Sequence, residues 1–254
     1  MFAALRRHPV PIQAFFRQSL VLTFAYPEEI LRPLLPPGLT LDAFEGVGFL
    51  AIALVQTEGL RPVGFPKALG RDFFLSGYRI FSRYRRPDGA ELRGLRILRS
   101  DADSRLMVFG GNLLTHYRYR KCEVSSVRTT GALEIRITTP NAEADLFVRA
   151  VVDTPALAPP PGSPFPDLKT ARKFSGPLPF TFDYEPETRQ MVLIEGVRED
   201  WNPTPVHVEE ARAAFLEKPP FNAAPARLAN AFFVENIPYR WKRGLVAPLS
   251  EAGA

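Results

Sequence analysis

Twenty-six prolines spread through 254 residues set the first limit on what this chain can become. That is about twice the usual ~5% share. A proline removes a backbone donor and clashes with the preceding helical turn, so long uninterrupted helices are excluded. Short strands joined by turns are favoured. Between the prolines the pattern fits this. β-forming runs or alternating faces predict strands over Ser19–Tyr26, Leu39–Asp42, Val47–Gln56, Tyr78–Arg85, Leu92–Arg99, Leu106–Phe109, Tyr117–Val127, Leu133–Thr138, Asp145–Val152, Phe180–Tyr184, Gln190–Arg198 and Ala231–Asn236. Turns are expected at Glu45-Gly46, Pro87-Asp88-Gly89, Asp101–Ser104 and Thr130-Gly131, and a loop over 57–71, where Gly and Pro cluster. Two helices are predicted. One spans 27–35, with Pro27 at its first position and Glu28 and Glu29 in its first turn. The other is Val208–Lys218, with Glu209 and Glu210 early, Lys218 late and Pro219-Pro220 as the stop.

Ten or more short strands with few helices make the chain mainly β, a sandwich or a barrel. With 46% hydrophobic and 23% charged residues it is globular. Its 20 Phe against three Met point to a core of aromatic packing. Residues 154–168, TPALAPPPGSPFPDL, are read as a long surface loop within a single domain over 1–254, because strand patterns continue on both sides. One cysteine, Cys122, excludes an internal disulfide. Three His with no metal-ligand spacing leave a metal site without support. No apolar run reaches the ~18 residues of a membrane span, and no secretory leader pattern is visible, so a cytoplasmic protein is expected. There is no GxSxG elbow, no GxGxxG and no Walker motif, so no nucleotide cofactor is expected.

Residues 72–128 carry the positive charge, with 12 Lys/Arg against six Asp/Glu in a chain of net +5. Within them Tyr78–Arg85 puts Tyr78, Ile80, Ser82 and Tyr84 on one face and Arg79, Phe81, Arg83 and Arg85 on the other. Tyr117–Val127 puts Tyr117, Tyr119, Lys121 and Glu123 on one face, with Arg118, Arg120, Cys122 and Val124 opposite. Arg79 reads either as a bidentate anion holder or as a solvated outer-face arginine. His116 reads as an acid, base or donor in a cavity, or as a half-buried structural histidine. Tyr117 and Tyr119 read as pocket walls or core packing. Asp101 and Asp103 look like paired carboxylates, with capping of a turn as the plainer reading. Trp201 reads as a loop anchor.

The segments YPEEILRPLLPPGLTLDAFEG, GLRPVGFP, YRIF, SDADSRL and LLTHYRYRK occur in this order. Together with KFSGPLPFTFDYE and GVREDWNPTPV they resemble the uncharacterised bacterial YqjF-like family of the acetoacetate-decarboxylase-like superfamily, over most of residues 18–210. The resemblance implies an antiparallel, cone-shaped β-barrel with a central cavity and a few peripheral helices. In the decarboxylases a cavity lysine forms a Schiff base with a β-keto acid, its pKa lowered by a cationic neighbour. Here the matching segment reads His116, Tyr117, Arg118, Tyr119, Arg120, so other residues fill both lysine positions. Lys121 follows one residue later, and in a strand a one-residue shift reverses the face.

Three functions are thereby set against each other. The first is binding of a small anionic organic molecule in a β-barrel cavity by Arg79, His116, Tyr117 and Tyr119, enzymatic or not and without a Schiff-base lysine. The second is a carbon-carbon lyase using Lys121 as nucleophile. The third is a nucleic-acid-binding module, prompted by a pI near 9.5 and YRYRK and ranked last, since basic residues on strands often form only an outer face. The reading leaves room for a homo-oligomer.

Overall fold

The computed structural model describes residues 2–176, 178–199 and 201–249. Its strands are β1 Ile12–Pro27, β2 Leu39–Leu41, β3 Val47–Pro62, β4 Arg71–Arg85, β5 Glu91–Ala102, β6 Tyr119–Lys121, β7 Glu123–Arg128, β8 Ala132–Thr138, β9 Leu146–Val151, β10 Phe180–Glu185, β11 Gln190–Arg198, β12 Thr204–Pro205, β13 His207–Ala213, β14 Arg227–Trp241 and β15 Leu245–Pro248. The α-helices are α1 Phe2–Leu5, α2 Glu28–Leu31, α3 Arg105–Leu114 and α4 Leu168–Ser175. The chain is mainly β, as expected.

The strands form two sheets. The smaller is antiparallel, in the order β13-β9-β8-β7. In the larger, β14 pairs with β1, then β3, β4, β5, β10 and β11 follow in turn. Gly196–Arg198 of β11 then pair back with Tyr239–Trp241 of β14, so the path of pairing returns to its start. The sheet is mixed rather than wholly antiparallel, because β5 runs parallel to both β10 and β6.

The two faces of the long strands differ in side-chain size, and this difference makes the interior. On one face Leu20 and Leu22 of β1, Leu50, Ile52 and Leu54 of β3, and Phe74, Tyr78 and Ile80 of β4 pack against Leu133, Ile135, Ile137, Leu146 and Val148 of the small sheet. On the other face the same strands present Ser19 and Val21, then Ala51, Ala53 and Val55, then Phe73, Leu75, Gly77 and Arg79. Large residues fill the space between the sheets, and small ones leave a hollow inside the curl of the larger sheet.

Several expected elements are corrected. The alternation in β1, β3, β4 and β14 continues well past the predicted ends, so the loop expected over 57–71 shortens to 63–70. β3 runs to Pro62 and β4 begins at Arg71. Leu106–Phe109 is not a strand but the start of α3. Ser104 caps it, its side chain accepting from the Met107 amide, and Gly111 lets the helix lie on the Tyr119 ring, where a β-carbon would meet ring atoms at 2.4 and 2.5 Å. Val208–Lys218 is not a helix. It is the edge strand β13 followed by a 3-10 turn at Ala214–Glu217, because β9 offers it a ladder from Leu146 to Val151. Its charges suit an edge: Glu209 pairs with Arg149, and Arg212 lies over Phe147. The predicted strand Tyr117–Val127 divides at the buried Cys122, where the chain leaves the large sheet for the small one. Arg118, with φ 54°, interrupts its alternation. Asp101 lies in β5 and not in a turn. It is fully buried and takes Arg99 in a bidentate pair at 2.8–3.0 Å.

The turns fare better. Glu45 and Gly46 both have positive φ and close the β2–β3 connection between Phe44 and Val47, as a two-residue hairpin demands. The Pro-rich stretch 154–168 lies along the large sheet. Phe165 is buried on Phe49, and the Ser163 hydroxyl donates to the Ala229 carbonyl. No helix among the described residues is long and apolar enough to cross a membrane.

Candidate functional site

The hollow inside the larger sheet is a pocket of about 370 Å³. Strands β1, β3, β4, β5, β11 and β14 and helix α3 all contribute walls. The lining is largely apolar. It includes four arginines, Arg61, Arg71, Arg79 and Arg198, and no aspartate, glutamate or lysine among the described residues. Three of the lining residues are well exposed, Val10, Arg71 and Leu106, and they mark the mouth.

Arg79 sits inside. Its β4 neighbours Tyr78 and Ile80 point into the layer between the sheets, so Arg79 points the other way, into the pocket. It forms no ion pair among the described residues, and its Nε is buried without a hydrogen-bond partner. The space it uses is left by Gly77, where a β-carbon would stand 3.0 Å from both Nε and Nη2. Burial lowers its pKa, and the charge is felt by Tyr239, Tyr119, Tyr117 and Arg198 around it. An arginine held in this way is short of a counter-charge.

Polar groups gather around Arg79 in the pocket. The Tyr117 hydroxyl and Thr181 Oγ1 share a hydrogen bond of 3.0 Å. Burial pushes the Tyr117 phenol far up and that of Tyr119 to about 12, so both remain neutral donors at ordinary pH. Arg198 stacks on Trp201, 4.5 Å from its ring centre, and donates to the Tyr239 hydroxyl at 3.1 Å. Its Nε too is buried and unpartnered among the described residues.

Of the residues singled out from sequence, Arg79, Tyr117 and Tyr119 line one pocket. His116 does not line it. Its Nε2 turns to Glu185, 3.6 Å away, a fully buried carboxylate that also takes Arg7 at 2.5 and 3.0 Å. Lys121 is elsewhere as well, in an open groove on the outer side of α3 beside Arg105 and Phe109, donating to the Cys122 carbonyl. Sequence reasoning missed Arg198 and His8 and took Trp201 for a loop anchor, whereas Trp201 lines the pocket. The signal for Arg198 was a cation three residues from an aromatic inside GVREDWNPTPV. His8 gave none, because only the fold brings it to the pocket, where its Nδ1 is buried without a partner among the described residues and burial lowers its pKa.

The rest of the positive charge in 72–128 is largely used internally. Arg83 and Arg93 both hold the buried Asp42 at 2.6 and 2.7 Å. Arg96 pairs with Asp183, Arg99 with Asp101, Arg120 with Glu143, and Arg128 with Asp153 and Glu235. Among the described residues no group of three or more His, Cys, Asp or Glu is placed to hold a metal.

The same fold occurs in solved structures. Acetoacetate decarboxylase from Legionella pneumophila superposes with a TM-score of 0.62 at 12% identity, over 94% of this chain and 88% of that one. An acetoacetate-decarboxylase-like enzyme from Sphingomonas wittichii RW1 gives 0.60 at 13%, over 94% and 92%. The enduracididine biosynthesis enzyme MppR, complexed with pyruvate, gives 0.58 at 14%, over 96% and 92%. No curated protein matches the chain in sequence. The model of the family DUF2071, described as an uncharacterised conserved protein, matches residues 13–238. The chain therefore belongs to the DUF2071 family and has the acetoacetate-decarboxylase-like fold.

Proposed function

We propose that this protein binds a small organic anion in the interior of a barrel formed by the seven-strand ring, with Arg79 as the anion-holding group. The observation that carries the reading is a half-buried, pocket-facing arginine whose Nε is fully buried and which has no carboxylate partner among the described residues. In a water-poor setting such a guanidinium attracts a carboxylate far more strongly than on a wet surface. Tyr117 and Tyr119 stand as neutral neighbours, and Arg198 takes the place expected of His116. MppR, which shares the fold, is complexed with pyruvate.

Schiff-base lyase chemistry through Lys121 is the weaker reading, since that amine lies on the outer side of α3. Nucleic-acid binding is weaker still, because most arginines of 72–128 already face carboxylates. Thermal-shift screening of organic acids against wild type and Arg79→Ala tests the proposal. An acid that stabilises the wild type and not the variant is expected. The variant should lose roughly 2–5 kcal/mol of affinity, the cost of leaving the anion buried and unpaired. Equal responses would refute the assignment.

A further inference from the structure

The pocket is divided by chemistry along its length. In β4 the inward residues are, in order, Arg71, Phe73, Leu75, Gly77, Arg79 and Phe81. Arg71 is exposed at the mouth, while Arg79 lies deeper, with the tyrosines and Arg198, and Phe81 and Leu95 line the pocket beyond it. Eight residues of strand separate the two arginines, about 26 Å at ~3.3 Å per residue. The wall between them carries no charge. Phe73 and Leu75 come from β4 and Ala53 and Val55 from β3, with Met107 of α3 also lining the pocket. The Arg79 guanidinium folds back over Gly77, towards the mouth. A ligand held there has its charged group deep in the pocket, and the guanidinium faces the apolar slot that leads outward.

A short acid would satisfy Arg79 and leave the slot unfilled. A pocket of about 370 Å³ falls in the range of sites that take ligands well beyond two or three carbons. We infer that the ligand is an unbranched carboxylate of about eight to ten carbons, its head on Arg79 and its tail running outward past Leu75 to Phe73. This rests on the anion-binding reading and deepens it by naming the ligand class. The small residue Ala53, opposite Gly77, then has a purpose: it leaves width where the chain of methylenes begins.

Calorimetric titration of the intact protein with sodium n-alkanoates from butyrate to dodecanoate tests this, with 1-alkanols of equal length and with Arg79→Gln and Arg71→Ala. Affinity should rise roughly three- to fourfold per methylene, the effect of burying one, up to about decanoate and then level off. The alkanols should bind more weakly throughout. Arg79→Gln should weaken every acid by tenfold or more and leave the slope with chain length intact, while Arg71→Ala should have a small effect. A flat series in which short acids bind as well as decanoate, still through Arg79, overturns the chain-length inference and leaves the anion reading standing. Loss in Arg71→Ala and not in Arg79→Gln reverses the ligand and overturns the orientation. Binding of no acid at all overturns both.

Discussion

Gly77 and Arg79 stand on the same face of β4, and the guanidinium of one fills the space that a side chain on the other would take, with 3.0 Å between a built β-carbon and both Nε and Nη2. Glycine in a strand normally weakens it, and close approach of another group is one reason it is kept. Gly77→Ala should therefore move the guanidinium by a few tenths of an ångström. Acid binding should fall several-fold, while the melting temperature changes little. Titration and thermal unfolding of the same variant check both halves. A large loss of stability with binding intact would mean the glycine serves the fold and not the site.

The carboxylate of Glu185 is held far below its usual range, from 4.5 to about 2, chiefly by its hydrogen bonds to Arg7. A depressed folded pKa contributes stability that is complete above the unfolded value and is lost as pH falls through the folded one. Its contribution should thus be full above about pH 4.5 and fade between there and pH 2. The shift corresponds to about 2–3 kcal/mol once the partial exposure of Arg7 is allowed for. Denaturant melts of wild type and Glu185→Gln at several pH values should show a gap that is wide at pH 7, reduced at pH 3 and nearly closed at pH 2. A gap that stays constant would remove the ion pair from the account.

Lys121 should not form an imine with a keto acid. Treatment with pyruvate and borohydride should leave its mass unchanged, and Lys121→Ala should bind acids as the wild type does. A reduced adduct on this lysine would restore the lyase reading.

Much of the fold was legible because long strands declare themselves by alternation. Tyr78, Ile80, Ser82 and Tyr84 were separated from Arg79 and Phe81 by period alone. Which face looks into a pocket was not legible, because it depends on a second sheet covering Tyr78 and Ile80. The size contrast of Leu50, Ile52 and Leu54 with Ala51, Ala53 and Val55 carried that information and went unread. The errors have a common cause. HVEEARA has the acidic start of a helix, but β9 left an edge open and the ladder prevailed over propensity. The LMVF run has strand composition, but the Ser104 cap and the contact of Gly111 with Tyr119 made it helical. His116 was set in the cavity by the resemblance, and the face of Lys121 was read from one continuous strand from Tyr117 to Val127. The left-handed Arg118 and the change of sheet at Cys122 broke that register.

A charge contact between Arg79 and a carboxylate inside the pocket is what holds the proposed ligand. It is tested most directly by a double-difference titration of decanoate and its primary amide against wild type and Arg79→Gln. The two ligands have nearly the same shape and differ in charge, so the cycle isolates the ionic contact. A coupling of about 1.5 kcal/mol or more is predicted, the acid losing affinity in the variant and the amide losing little. A coupling near zero, with both ligands affected alike, would contradict it.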